Sequence, residues 1–164
     1  MKRFEYGTTT VWTGNDGLGN STARFGRDSE LGAAGRPTIP GSAPREFGGD
    51  GLGWAPEDLL VAAVSECHML TYLYLCAREG ITVESYVDSA LGVLEVEGPT
   101  GRFTEIELRP VVVISSGDPS AADALHVKAS DACYIGRSVN ADIRIVSTTT
   151  CEPKGVTPSG EGYR

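Results

Sequence analysis

Residues 54–86 read WAPEDLLVAAVSECHMLTYLYLCAREGITVESY, and the order of signals inside them decides the fold. Pro56 stands at a first helical position, Glu57 and Asp58 in the first turn and Gly80 just past the end, which is the order of a helix start and stop. Between them Leu59, Leu60, Val61, Val64, Met69, Leu70, Leu73 and Leu75 occupy more than one stripe of the helix, the pattern of a helix packed on several sides. The apolar run 59–77 is about long enough to cross a bilayer, but Ser65, Glu66, His68 and Thr71 sit at its centre. It reads as a buried core helix.

Around this helix the chain alternates between strand and turn signals. Residues 4–12 and 21–27 read as strands joined by the glycine-rich turn GNDGLGN at 14–20, which lacks the lysine and following helix of a phosphate loop. Residues 32–54 carry Gly and Pro every few positions and read as loop or short strand. Residues 81–96 and 103–114 are alternating, β-branched runs separated by EGPTGR, a hairpin signal. Asp118 followed by Pro119 opens a second helix to about residue 132, and residues 141–147 form a last strand. The order predicts an α+β fold with a largely antiparallel sheet, one domain over residues 1–150 and a mobile tail over 151–164.

A chain of 164 residues buries ~70% of its unfolded surface and needs neither disulfide nor metal to fold. Fourteen Lys and Arg against 22 Asp and Glu give a net charge of −8, which opposes a phosphate backbone or an anionic membrane, so neither is expected as a partner. No apolar run of signal-peptide length is seen near residue 1, and the expected location is the cytoplasm, where thiols stay reduced unless they do redox chemistry.

The four cysteines are then the chemistry to explain. Cys67 and Cys76, nine residues apart on one helix, point to opposite sides at ~100° per residue and cannot pair. Cys133 falls where the second helix ends, and Cys151 in the tail. A metal reading would gather Cys67, His68, His126 and Cys133, but Cys67 and His68 are adjacent and no Cys-x-x-Cys or His-x-x-x-His spacing occurs, so no metal or other cofactor is expected. His68 reads as a core or pocket-rim residue. Trp54, Met69, Tyr72 and Tyr74 read as core before they read as a substrate pocket.

The run at 54–86, together with DACYIGRSVNADI at 131–143, resembles the family of osmotically inducible protein C and organic hydroperoxide resistance protein (OsmC/Ohr). That family's signature is Asn-Pro-Glu-x-Leu at the start of a central helix, a cysteine ten residues past the glutamate and a second cysteine about 65 residues later. Glu57, Cys67 and Cys133 meet these spacings, and the resemblance spans roughly residues 4–147. It implies sheets wrapped around the long helix in an intertwined homodimer, and a thiol peroxidase that reduces organic hydroperoxides. Cys67 would attack the peroxide as thiolate and become a sulfenic acid, and Cys133 would resolve it to a disulfide, which a dithiol reductant reopens. Ten helical residues separate Glu57 from Cys67 by ~15 Å. If both serve one site, the helix breaks or Glu57 comes from the second subunit, as the family's interfacial sites imply.

The sequence departs from the family where an arginine should stabilise the thiolate. Alignment on the Thr13–Gly17 turn puts Asn15 at that position, and alignment on Phe47 puts Glu46 there. Arg27 shares strand parity with Ala23 and Phe25 and is expected to face the core side, Arg24 points away, and Arg45 is the other candidate. Glu66, where a small residue is usual, would oppose thiolate formation if it lay close, and Ala55 replaces the usual asparagine cap. Two further readings stay open: a non-catalytic relative that binds an apolar small molecule, and a redox sensor whose Cys67–Cys133 disulfide alters a partner surface.

Overall fold

The computed structural model describes residues 2–21 and 24–152 of the chain. The expected tail beyond residue 152 lies outside the described residues, as does Ala23. Contacts divide the chain into two compact units, Met1–Leu60 and Val61–Arg164.

The first unit is built on a three-stranded antiparallel sheet of β1 (Thr9–Trp12), β2 (Ser29–Gly32) and β3 (Ile39–Gly41). The turn at 14–20 is closed by its own side chains. Asn15 Oδ1 accepts from the N–H groups of Gly17 and Gly19, and Asp16 Oδ1 from that of Leu18, an Asx pattern that leaves no anion cradle. The strand expected at 21–27 is not formed among its described residues. Gly14 and Gly26 explain why: a Cβ on Gly26 would lie 2.4 Å from the Gly14 carbonyl oxygen, so two backbones meet where a side-chain ladder was expected. Backbone bonding resumes at Asp28, whose carbonyl accepts from the Thr13 and Gly14 N–H groups, and the ladder at Ser29. A short 3-10 turn, Arg45–Phe47, ends on Gly48 at φ 86°, a left-handed conformation that glycine adopts without strain.

Helix α1 (Pro56–Arg78) keeps the boundaries read from the sequence. In place of the asparagine cap, Asp58 reaches back to accept from the Ala55 N–H at 3.1 Å, the return half of a capping box. By length and composition α1 would be long enough to cross a membrane. Its buried residues form a single stripe, Val64, His68, Tyr72 and Cys76, at four-residue spacing. The opposite stripe keeps Leu70 57% and Tyr74 61% exposed, so the chain by itself covers only part of the helix that the sequence leads one to expect wrapped.

In the second unit, β4 (Thr82–Asp88), β7 (Pro110–Ser116) and β9 (Thr148–Cys151) form one sheet, and β5 (Leu91–Glu97), β6 (Thr100–Leu108) and β8 (Asp142–Ile145) another. β5 and β6 make the expected hairpin, turning at Gly98 with the positive φ of 58° that a two-residue turn requires. Each long run read as one strand is broken in two at a corner. There Asp88 Oδ1 accepts the Arg109 N–H at 2.7 Å, and Pro110 has no N–H to continue the ladder. The inner halves pair as β5–β6 and the outer halves as β4–β7. β8 and β9 add parallel to β6 and β7, and β9 takes up Cys151, which the sequence assigned to the tail.

Helix α2 (Pro119–Ala132) follows the sequence reading, its cap Asp118 accepting from the Ser120 N–H. Tyr72 and Cys76 pack with Val112 and Ile114 of β7 and with Ala122, Leu125 and Ala129 of α2. Val64 packs with Ile106 and Leu108 of β6 and with Ile143 and Ile145 of β8. Each such buried aliphatic side chain stabilises the fold by ~1.5–3 kcal/mol. Gly92 lets α1 lie close on β5, since a Cβ there would sit 2.6 Å from Val61 Cγ2 and from the Phe103 ring.

Candidate functional site

The topology of the second unit brings Cys67 and Cys133 together across 66 residues of sequence. Cys67 lies half-buried in mid-α1, and Cys133 terminates α2 at 2% exposure, both as free thiols. The Cys133 N–H bonds to the Ser130 carbonyl, and its Sγ accepts from the Gly136 N–H at 3.2 Å. A Cβ on Gly136 would come within 3.3 Å of that sulfur, so the glycine keeps the thiol's seat open. Burial pushes the Cys133 pKa up to about 11; the Gly136 N–H draws it back, and the adjacent Cys67 thiol raises it further through a side-chain hydrogen bond and charge. Cys133 is therefore a thiol at neutral pH, held beside Cys67.

Next to this pair lies a buried polar cluster that sequence reasoning missed. His68 Nε2 and His126 Nδ1 are 3.0 Å apart, with rings nearly parallel at 8°. His126 stacks on Tyr72 at 4.0 Å between centroids, and Tyr86 lies tilted against both Tyr72 and His126. Burial lowers the His68 pKa against the pull of Asp88, and lowers that of His126 to about 4, with His68 adding to the fall and Asp123 and Asp88 opposing it. Both imidazoles are neutral at pH 7. Asp88 also accepts from Ser65 Oγ at 2.5 Å, joining the corner of β4 to α1 two residues before Cys67. Helical spacing held the signal for the pair, since His68 falls in the stripe of Val64, Tyr72 and Cys76, and His126 in that of Ala122, Ala129 and Cys133.

In the first unit a cavity of about 530 Å³ is lined by Trp12, Phe25, Phe47 and Trp54, with Arg27 and Glu57 among its remaining walls. Arg27 Nε donates to the Phe47 carbonyl at 2.9 Å, and its guanidinium lies 4.0 Å from the centre of the Phe25 ring. A Cβ on Gly48 would meet Arg27 Nε at 3.2 Å. Glu57 Oε2 is buried without a hydrogen-bond partner. Arg24 and Arg45 are exposed and do not line the cavity. Trp54, read as core, is 48% exposed at the cavity edge, whereas Tyr72 is fully buried. Glu66 is exposed on α1. Helix α1 runs unbroken from Pro56 to Arg78, so Glu57 stays ~15 Å along the axis from Cys67 of its own chain. Among the described residues, no three His, Cys, Asp or Glu side chains are grouped to hold a metal ion.

Comparison with known proteins agrees with the architecture. The uncharacterized protein YmaD of Bacillus subtilis is 28% identical over 108 residues, covering 63% of this chain and 72% of YmaD. A solved OsmC-like protein of unknown function from Vibrio cholerae is 26% identical with a TM-score of 0.79, covering 89% of this chain and 100% of its own. An organic hydroperoxide resistance protein OsmC from Legionella pneumophila shares the fold at a TM-score of 0.65 and 17% identity, covering 92% of this chain and 99% of its own. The family model for OsmC-like proteins matches residues 48–148, the stretch that carries Glu57, Cys67 and Cys133, and the chain belongs to the OsmC family.

Proposed function

We propose that this protein is a homodimeric, thiol-dependent peroxidase that reduces organic hydroperoxides to alcohols. The observation that carries the reading is that Cys67 lies near enough to Cys133, which Gly136 seats at the end of α2, to act on its thiol through a side-chain hydrogen bond and charge. In the first step the Cys67 thiolate attacks the terminal peroxide oxygen: an S–O bond forms, the O–O bond breaks, and the alkoxide leaves as alcohol after taking a proton. In the second, the Cys133 sulfur displaces hydroxide from the Cys67 sulfenic acid. The disulfide forms, the Cys133 proton goes with the leaving group as water, and an external dithiol restores both thiols. A mostly protonated Cys133 suits this order, because it leaves the more exposed Cys67 as the group that meets peroxide.

Glu57 and Arg27 belong to this reading as the substrate-binding half of the site, offered by one subunit to Cys67 of the other. The support is threefold: α1 does not bend to bring Glu57 to its own Cys67, Glu57 and Arg27 line one cavity, and α1 keeps an exposed apolar stripe at Leu70 and Tyr74. The aromatic walls suit an apolar peroxide, with the cation and carboxylate directed at its polar end. They suit an apolar ligand that is never turned over as well, and one assay separates the two. Consumption of cumene hydroperoxide with dithiothreitol should be abolished by Cys67→Ser. With the reductant left out, Cys133→Ser should consume one peroxide per Cys67 and then carry Cys67 on to sulfinic acid, where the parent stops at the disulfide. Cys76→Ala and Cys151→Ser should turn over like the parent. Undiminished turnover in Cys67→Ser, or none in the parent, overturns the reading.

A further inference from the structure

We propose that His68 and His126 are positioning residues for disulfide closure, a hydrogen-bonded cross-tie that fixes α2 on α1 so that Cys133 stays within reach of Cys67. The proposal rests on the two-cysteine reading above. His68 directly follows Cys67 on α1, and His126 lies seven residues, two turns, before Cys133 on α2. Their 3.0 Å bond is thus a polar tie between the two helices that carry the thiols.

Its surroundings make it selective. Tyr72, on which His126 stacks, belongs to a largely apolar cluster with Cys76, Leu125, Ala129 and Val112, and apolar contacts tolerate small slides of one helix along another. A buried N–H···N bond does not, because a shift of about an ångström leaves two desolvated ring nitrogens unpaired. Among the described residues His126 Nε2 has no hydrogen-bond partner, and the bond its ring makes there is the one from Nδ1 to His68. The stack on Tyr72 fixes the plane of the ring but is indifferent to a half-turn about Cβ–Cγ that exchanges Nδ1 with Cδ2, and the His68 contact selects between the two. Burying two imidazoles where aliphatic side chains would fit costs desolvation. Such groups are retained where they specify register more than stability.

The test separates the tie from simple packing and from the peroxidase reading. His126→Phe keeps the stack and removes the nitrogens, whereas His126→Asn places an amide atom close to the position of Nδ1 and can restore the bond. Diamide, a thiol oxidant that needs no peroxidase activity, drives the Cys67–Cys133 disulfide in each reduced, full-length protein, and closure is followed by quenched-flow alkylation and mass analysis. Iodoacetamide trapping of Cys67 serves as the control, and circular dichroism melts check the fold. His126→Phe should close about tenfold more slowly, with unchanged alkylation of Cys67, and His126→Asn should recover most of that rate. With peroxide, the Phe variant should accumulate Cys67 sulfinic acid. Closure at parental speed in His126→Phe overturns the proposal, as do equal slowing in the Phe and Asn variants and absence of a diamide disulfide in the parent. Parental closure by diamide without peroxide turnover would instead retire the peroxidase reading and leave the tie standing.

Discussion

Acidification from about pH 7.5 to about pH 5 should cost the fold stability through His126, by an amount the structure sets. Burial and the neighbouring His68 hold the His126 pKa near 4 in the folded chain, against an ordinary 6.5 when unfolded. Between those values the unfolded chain holds a proton that the folded chain refuses, so stability is full above about 6.5 and drains away as the pH falls toward 4. At pH 5 the unfolded imidazole is almost wholly protonated and the folded one about a tenth so, and the linkage integral comes to about 2 kcal/mol. His68, lowered in the same direction, adds to this loss. Against the ~5–15 kcal/mol of a typical fold this is a large share. The assay is urea unfolding at fixed protomer concentration, at both pH values, for the parent and His126→Phe. Both tryptophans lie in the first unit, so far-ultraviolet circular dichroism is the appropriate signal. The two proteins differ at this one side chain, and the difference between their pH losses reads the imidazole. The parent should lose about 2 kcal/mol more than the variant. Equal losses, within ~0.5 kcal/mol, would refute the reasoning, because a buried neutral histidine cannot be absent from the proton balance.

Arg27→Met should slow the reaction of Cys67 with peroxide by more than about tenfold, while Arg24→Met and Arg45→Met stay within about twofold, read as single-turnover rates; equal effects at all three would remove Arg27 from the site. Gly48→Ala forces a left-handed backbone on a Cβ that also meets Arg27 Nε, so it should cost ~1–2 kcal/mol in urea unfolding and reproduce part of the Arg27→Met defect. Leu70→Glu combined with Tyr74→Glu, on the exposed stripe of α1, should shift sedimentation at low micromolar concentration from dimer to monomer and abolish turnover; a folded, active monomer would remove the shared-site role of Glu57.

What the sequence made legible was local, and what it hid was pairing between distant segments. Helices α1 and α2 could be placed within a residue or two because their stop signals and caps, Pro56, Gly80, Asp118 and Pro119, are neighbours in the chain. The breaks at Asp88 and Pro110 could not, because a side chain capping a backbone N–H 21 residues away leaves no periodic trace. β9 was hidden for a similar reason. Thr148 to Cys151 has little apolar alternation, and its strand exists because β7 offers an open parallel edge. At the site, Cys67 and Cys133 were marked by residue type and spacing. His68 was legible only as a core or pocket-rim residue and His126 only as a metal ligand to be set aside, since nothing in either helix alone tells which ring the other helix will meet.

Arg27 shows how a local rule can survive the loss of its premise. Strand parity sets it on the same side as Ala23 and Phe25, and no strand forms among the described residues of 21–27. Yet Phe25 and Arg27 line the same cavity and touch each other, because alternation of side-chain direction belongs to extended backbone and needs no ladder partner. What replaces the ladder is a set of single contacts: the Gly14–Gly26 backbone approach, the Trp12 indole N–H donating to the Gly26 carbonyl at 2.8 Å, and Arg27 Nε on the Phe47 carbonyl. A paired strand would have fixed Arg27 through backbone bonds alone. Here the segment is fixed through the cavity wall itself, so the aromatic lining and the position of the cation are coupled, and a substitution at Trp12 or Phe47 should disturb Arg27 as surely as one at Arg27's own backbone.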